Sequence, residues 1–207
     1  MTPAFARRIL FASANQGKIH EVKSAAAALG ITVIGADELT AGFGPAPEVT
    51  EDGASYLENA RLKAGSYLRW SGECALADDS GLEVAALGGA PGLHTARFAG
   101  QGCSAADNRA KLLSVLSGTA DRRARFVCVL CLLFPDGTEL SVEAALTGTI
   151  STSQRGTGGF GYDPVFEVDG YGGRTLAELK QQGVPVETHR ILALGKLAGC
   201  LAAVPRK

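Results

Sequence analysis

The sequence has no long hydrophobic run and no excess of one charge. Its longest apolar stretch is the nine residues from Phe126 to Phe134, well short of the roughly 20 that a membrane-spanning helix needs. The formal net charge is −1, which gives no electrostatic footprint for nucleic acid or an anionic membrane. Arg7 and Arg8 precede only a short apolar run, unlike a signal peptide. We therefore expect a cytoplasmic protein that binds neither nucleic acid nor membrane.

The sequence also lacks a regular cysteine pattern. The five cysteines are an odd number without regular spacing, which argues against a disulfide framework and fits a reducing compartment. Cys128 and Cys131 form the one CxxC motif, but the surrounding RFVCVLCLLF is typical of a strand. Residues three apart on a strand face opposite sides, so the pair cannot chelate one metal ion. We interpret both as core residues.

The 207 residues predict one sizeable domain over 1–207, long enough to bury about 70% of its unfolded surface. Strand-like and helix-like segments alternate, which predicts a mixed α/β protein with polar residues at its strand-to-helix corners. The predicted strands are 7–13, 31–36, 74–77, 82–87, 122–134 and 138–150, with a last one after the glycine-rich loop that starts at 156. The predicted helices are 18–29, 55–70, 104–117 and 190–204, and a Gly/Pro-rich loop covers 41–53.

Four constellations could carry chemistry. SANQGK, from Ser13 to Lys18, joins a strand to a helix, and a helix N-terminus with a lysine attracts phosphate. Glu51, and Asp79 in LADDSGLEV, are carboxylates of the kind that Mg²⁺ prefers. Lys63 lies on one face of the ENARLKA helix and could reach a phosphate.

The fourth constellation combines GTGGFGYDP with THR, from Thr188 to Arg190. Glycines let an aromatic ring lie flat against a base, and His189 and Arg190 offer hydrogen-bond donors. Taken singly, each constellation has an ordinary structural explanation: a polar turn, an exposed acidic loop, a solvated helix face or a helix cap. Taken together they indicate a site for a nucleoside triphosphate.

The chain resembles the inosine/xanthosine triphosphate pyrophosphatase family, whose members act on non-standard purine nucleotides. The matching pieces are ASANQGKIHEV, ENARLKA, ADDSGLEVAALGGAPGLHTARFAG, GTGGFGYDPVF and THR, which occur in the family's order across residues 9–194. The resemblance implies an elongated mixed β-sheet flanked by helices, in two lobes with an active-site cleft between them. It also implies a cytoplasmic homodimer that uses Mg²⁺ to hydrolyse dITP, ITP and XTP to the monophosphate and pyrophosphate.

The resemblance also assigns roles to individual residues. Asp79 is expected to accept the proton of the attacking water and, with Glu51, to hold the metal, while Asp78 serves the metal, the turn or a supporting position. A strand end is expected to turn Asp79 inward. The residues expected to bind substrate are Ser13, Ala14, Asn15, Gln16, Gly17, Lys18, Lys63, Ser80, Phe160, Gly161, Tyr162, Asp163, His189 and Arg190.

The chain departs from the family pattern at three positions. Ala14 replaces a glycine in the phosphate loop and would be strained if a positive φ were required there. Thr188 replaces a serine before His-Arg, which is a mild change. Val184, five residues before His189, replaces a lysine, and the lost charged hydrogen bond predicts binding weaker by about 1.5–3 kcal/mol. Lys180, one helical turn earlier, is the candidate replacement.

Two other functions fit the same fold. A non-enzymatic nucleotide-binding or sensor protein would explain Ala14 and Val184, whereas the intact Asp79, Glu51 and Lys18 favour an enzyme. A pyrophosphatase for other modified nucleotides, such as pyrimidines, is the second alternative. Magnesium-dependent pyrophosphate release separates the first from an enzyme, and a substrate panel tests the second.

Overall fold

The computed structural model describes residues 8–39 and 43–203. Its strands are β1 (Ile9–Phe11), β2 (Val33–Gly35), β3 (Cys74–Val84), β4 (Arg123–Leu133), β5 (Glu139–Ile150) and β6 (Phe166–Val168). Its helices are α1 (Gln16–Ala28), α2 (Tyr56–Ser71), α3 (Ala105–Val115), α4 (Leu176–Gln181) and α5 (His189–Ala203). Three parts of the sequence prediction lie outside the described residues: the strand start at Arg7, the loop start at 41–42 and the last residue of the C-terminal helix, Val204.

The strands form one mixed sheet in the order β2-β1-β3-β4-β5-β6. β1 pairs in parallel with both β2 and β3, and β5 pairs antiparallel with β6. The parallel β1–β2 pair joined by α1 confirms the predicted βαβ unit. β4 and β5 are neighbours on either side of Pro135-Asp136-Gly137, as the predicted hairpin requires, and Phe134 N–H donates to the Thr138 carbonyl at 2.9 Å.

The sheet buries two different apolar faces, because successive strand residues point to opposite sides. One face carries Ile9, Phe11, Leu76 and Cys128 and packs against α1 and α5. The other carries Leu10, Ala75, Ala77 and Cys131 and packs against α2. Cys128 and Cys131 therefore lie in different parts of the core, which confirms their interpretation as core residues on opposite faces of the strand.

One strand prediction is wrong in an informative way. The sequence predicts two strands, 74–77 and 82–87, with Asp78 and Asp79 at a strand end. The structure has the single strand β3, which runs through both aspartates. Because β3 stays extended, Asp78 continues the face of Leu76 and Asp79 continues the face of Ala77. The two neighbouring carboxylates therefore point away from each other.

Local capping explains where the helices begin. Ser55 caps α2 by accepting from the Glu58 N–H at 3.2 Å, and Gly72 ends the helix at φ 70°. The predicted Ser55–Glu58 capping box is only half present, since Glu58 accepts from the Ala54 N–H instead. The helix α4, which is absent from the sequence prediction, has six residues and starts at a Thr175–Glu178 capping box.

The chain divides into two compact units. Within the described residues, the first comprises the chain up to Asp79, Cys128–Ala144 and the chain from Arg190, and the second comprises Ser80–Val127 and Ala145–His189. The second unit has its own core, which includes Leu82, Leu112, Ile150 and Phe166. In the part of the chain that the structure describes, we find no helix with the length and apolar character to cross a membrane.

Candidate active site

The first unit brings Lys63, Glu51 and Asp79 together. Lys63 lies on the buried face of α2, and its Nζ is 3.0 Å from Glu51 Oε2 and 3.2 Å from Asp79 Oδ1. Asn59, one turn earlier on the same face, donates from Nδ2 to the other Asp79 oxygen at 3.1 Å. Both oxygens of Asp79 are thus held in place, and the two carboxylates share a single ammonium group.

Burial and charge act on these groups in opposite ways. Burial lowers the pKa of Lys63, but the surrounding carboxylates, Asp79 foremost, outweigh it and raise that pKa above its usual value. Burial raises the pKa of Asp79, and the nearby charge of Glu51 raises it further, against the opposing effects of Lys63 and Asn59. The Lys63 ammonium interacts with several carboxylates, whereas Glu51 and Asp79 both contact this one ammonium. This leaves Asp79 in an environment short of positive charge.

Asp78 forms a second, deeper cluster on the opposite face of β3. It is 1% exposed, and it accepts from Lys18 Nζ at 2.7 Å and from Arg190 Nε at 2.8 Å. Arg190 is itself 2% exposed and donates from Nη1 to Glu21 Oε2 at 2.6 Å. Asp78 therefore connects the first turn of α1 to the first turn of α5.

The second cluster pairs two cations, Lys18 and Arg190, with two carboxylates, Asp78 and Glu21. Burial would raise the pKa of Asp78, but Lys18 and Arg190 together hold it far below the usual range. Burial opposes the charged form of Arg190, and Asp78 and Glu21 raise its pKa in spite of that. A buried pair of this kind is costly to break from one side, because the remaining charge stays buried.

The predicted phosphate loop lies between β1 and α1. Asn15 caps α1 by accepting from the Lys18 N–H at 3.1 Å, and Ser13 Oγ accepts from the Asn15 N–H at 3.2 Å. Ala14 and Gln16 are exposed, and Gly17 is half-buried. Within the described residues every positive φ belongs to a glycine, so the strain anticipated at Ala14 does not arise.

The GFGYDP loop of the second unit has an exposed tip and buried supports. Phe160 is 38% exposed. Tyr162 is buried, and its hydroxyl donates to the Thr95 carbonyl at 3.0 Å. Asp163 is buried and accepts from the Phe160 N–H at 3.0 Å and from Lys180 Nζ at 2.9 Å. Of this set, Phe160 is therefore the side chain that is placed to meet a ligand.

The structure places the remaining predicted residues as follows. His189 is buried, and its ring stacks on Phe126 with centroids 4.9 Å apart. Ser80 is half-buried and follows Asp79 in β3, and Gly161 has φ +60°. Val184 packs against the apolar core of the second unit, which explains how a valine is accommodated where the family pattern has a lysine.

Two residues of these clusters, Asn59 and Glu21, are absent from the site that the sequence predicts. Asn59 was visible as the i−4 neighbour of Lys63, and its amide also accepts from the Gly53 N–H at 2.8 Å. Glu21 carries no local signal, since its partner Arg190 is 169 residues away. Lys180, the candidate replacement for the lysine absent at position 184, contacts Asp163 of the glycine-rich loop.

The donor set at Asp79 fits a hard divalent cation. Glu51 and Asp79 both contact the Lys63 ammonium, at 3.0 and 3.2 Å, so the two carboxylates lie close enough together to share one cation. No cluster of three or more His, Cys, Asp or Glu side chains suited to a metal occurs among residues 8–39 and 43–203. Mg²⁺ commonly takes only one or two carboxylates and completes its shell with water and substrate phosphates.

Comparison with known proteins gives consistent matches over nearly the whole chain. Among curated proteins, it is 48% identical to a dITP/XTP pyrophosphatase of Syntrophobacter fumaroxidans, over 91% of this chain and 79% of that protein. It is 45% identical to a dITP/XTP pyrophosphatase of an Exiguobacterium species, over 92% of this chain and 94% of that protein.

Solved structures agree. The Ham1 protein of Staphylococcus aureus matches with a TM-score of 0.79 and 39% identity, over 95% of this chain and 98% of its own. A HAM1 protein of Coxiella burnetii matches with a TM-score of 0.82 and 36% identity, over 96% of this chain and 100% of its own. The profile of the Ham1 family covers residues 9–200, and this chain belongs to the Ham1 family.

Proposed function

We propose that this protein hydrolyses dITP, ITP and XTP to the nucleoside monophosphate and pyrophosphate, with Mg²⁺, and so removes non-standard purine nucleotides from the nucleotide pool. The observation that carries the proposal is the meeting of Lys63, Glu51 and Asp79 within 3.2 Å on one side of β3. The name dITP/XTP pyrophosphatase, which relatives at 48% and 45% identity carry, supports the substrate class.

Asp79 is the proposed general base. Lys63 and Asn59 fix its two oxygens, so the carboxylate is oriented before substrate arrives. In this role Asp79 takes the proton of the water that attacks the α-phosphorus.

Glu51 and Asp79 would hold Mg²⁺. When bound, Mg²⁺ neutralises charge on the phosphate oxygens of the substrate. Lys63, beside these two carboxylates, is a second positive charge and can pair with a phosphate oxygen of the leaving pyrophosphate.

The loop from Ser13 to Lys18 is the proposed phosphate-binding segment. A helix N-terminus and an ammonium group both attract a polyphosphate. Lys18 is paired with Asp78 at 2.7 Å, so it is held at the start of α1 rather than free in solution. A polyphosphate that binds there approaches a lysine whose position is already fixed.

The nucleoside is proposed to bind against the Phe160 ring, with His189 and Arg190 as the source of hydrogen-bond donors. Donors in this region would pair with the C6 oxygen of hypoxanthine or xanthine and would clash with the amine of adenine. A site built to bond a required group can discriminate by about 10⁴. Arg190 has its Nε and Nη1 engaged by Asp78 and Glu21, so its contribution would come from a guanidinium that is already anchored.

The family resemblance further supports a cytoplasmic homodimer built from one domain over 1–207. Analytical ultracentrifugation tests the assembly: a dimer sediments with twice the 21.3 kDa mass of the chain, and a single species of 21.3 kDa would contradict it.

The activity is tested by pyrophosphate release from dITP, XTP, dGTP, dATP and dUTP, with Mg²⁺ and after chelation by EDTA. We expect fast release from dITP and XTP, loss with EDTA and recovery on adding Mg²⁺. Asp79→Asn should abolish turnover, whereas the matched control Asp121→Asn, an exposed carboxylate paired with Arg123, should not. Binding of dITP without any release would favour a nucleotide sensor, and release from dUTP alone would favour a pyrimidine substrate.

A further inference from the structure

Lys180, the candidate replacement for the lysine that the family pattern has at position 184, reaches the tip of the glycine-rich loop. Lys180 lies in α4, and its Nζ is 2.9 Å from Asp163 Oδ2 and 5.3 Å from the centroid of the Phe160 ring. The same Asp163 oxygen accepts the backbone N–H of Phe160 at 3.0 Å. One carboxylate oxygen therefore joins the lysine to the backbone of the residue whose ring the lysine covers.

Glycines and close packing against α4 characterise the backbone of this loop. Gly159 and Gly161 adopt φ +77° and +60°, a region open to glycine at no steric cost, so the backbone on both sides of Phe160 is intrinsically permissive. Gly158 approaches α4 so closely that a Cβ there would lie 2.6 Å from the Ala177 carbonyl. The loop thus rests on α4, and α4 is the element that supplies Lys180.

Exposure distinguishes the three groups. The Asp163 side chain is 7% exposed and that of Lys180 is 27% exposed, whereas Phe160 is 38% exposed. A cation over one face of the ring restricts its orientation and leaves another side of an exposed aromatic open to solvent. A flat, aromatic ligand is what such a prepared surface fits.

We propose that Lys180 is a positioning residue for nucleobase recognition: through Asp163 and the ring face it fixes Phe160 in the orientation that stacks on the purine. This inference rests on the proposed function. Fixing the ring in advance removes an ordering cost from binding. Substrate affinity should therefore depend on the charge at position 180, while the chemical step should not.

The test is steady-state hydrolysis of dITP by the full chain. Lys180→Met should raise KM roughly fivefold and leave kcat within about twofold, and Lys180→Arg should recover most of the loss. The matched control is Lys111→Met, because Lys111 also covers an aromatic ring, that of Phe98, at 4.7 Å, but outside the proposed site. It should leave KM unchanged.

A double-mutant cycle with Phe160→Ala separates positioning from a direct or purely structural role. If Lys180 acts through the ring, Lys180→Met should change KM by less than about twofold once the ring is absent. An effect as large as in the wild type would overturn the proposal, as would an unchanged KM in Lys180→Met itself. Should Lys180→Met not fold, as judged from thermal denaturation, Lys180→Gln is measured in the same way.

The two proposals fail in different ways. If the wild type hydrolyses none of dITP, ITP and XTP, the proposed function fails and the inference fails with it. If the wild type is active and Lys180→Met has a normal KM, only the inference is wrong.

Discussion

Replacing Asp78 by asparagine tests whether the deep cluster under the phosphate loop holds the first unit together. The carboxylate is 1% exposed and pairs with Lys18 at 2.7 Å and with Arg190 at 2.8 Å. Asparagine has the shape of aspartate but no charge. Its amide N–H groups would face the N–H groups of Lys18 or Arg190, which are also donors. The buried guanidinium of Arg190 would then retain Glu21 as its remaining carboxylate in this cluster.

The expected magnitude follows from that geometry. Breaking a buried ion pair from one side costs about 3–5 kcal/mol, and the retained Glu21 contact places this case at the lower end, about 3 kcal/mol. For a chain of 207 residues, each kcal/mol corresponds to about 2–4 °C in Tm. We therefore expect Asp78→Asn to lower Tm by roughly 6–12 °C.

Thermal unfolding followed by far-UV circular dichroism measures this shift. Asp121→Asn is the matched control, because its pair with Arg123 is on the surface, and exposed pairs contribute little to stability. Its Tm should stay close to that of the wild type. If Asp78→Asn has the same Tm as the control, the reasoning about a buried charge cluster is refuted.

Three further experiments test the site, the loop and the core. Lys63→Met should lower dITP turnover about 100-fold, since it removes a fixed positive charge from the site. Gly159→Ala should raise KM in the same assay, whereas Gly161→Ala, also at positive φ but with open space around it, should have a smaller effect. Burial raises the pKa of Cys131 to about 12, so at pH 8 its thiol should resist Ellman's reagent while the exposed Cys200 reacts.

Each of these has its own control or contradicting result. Lys23→Met removes a lysine from an exposed ion pair with Glu38 and should leave turnover normal. A Cβ on Gly159 would meet the Asp163 carboxylate, so equal KM values for the two alanine variants would speak against the loop geometry. Reaction of all five thiols in the native protein at pH 8, as in denaturant, would contradict the buried core.

Much of the fold could be predicted from the sequence because the local signals agree with the tertiary structure. The βαβ start, the hairpin around Pro135-Asp136-Gly137 and the Ser55 cap all appear where the pattern indicates. The helix α4 was missed because six residues are too few for a clear hydrophobic period, and its Thr175–Glu178 capping box was the available signal.

The acidic pair shows where sequence reasoning stops. Two adjacent aspartates are typical of a turn, and they stay in a strand here because each finds cations on its own side of the sheet: Lys18 and Arg190 for Asp78, Lys63 for Asp79. Those partners are between 16 and 112 residues away along the chain. Charge pairs between residues so far apart leave no periodic pattern in the sequence. The LADDSGLEV motif, in contrast, can be recognised in the sequence.

The most direct test of the central claim is the identity of the products. Phosphorus NMR of dITP incubated with the wild-type protein and Mg²⁺ should show dIMP and pyrophosphate appearing together, and neither should appear with Asp79→Asn. Formation of dIDP and inorganic phosphate would place the attack at the γ-phosphorus and would contradict the account.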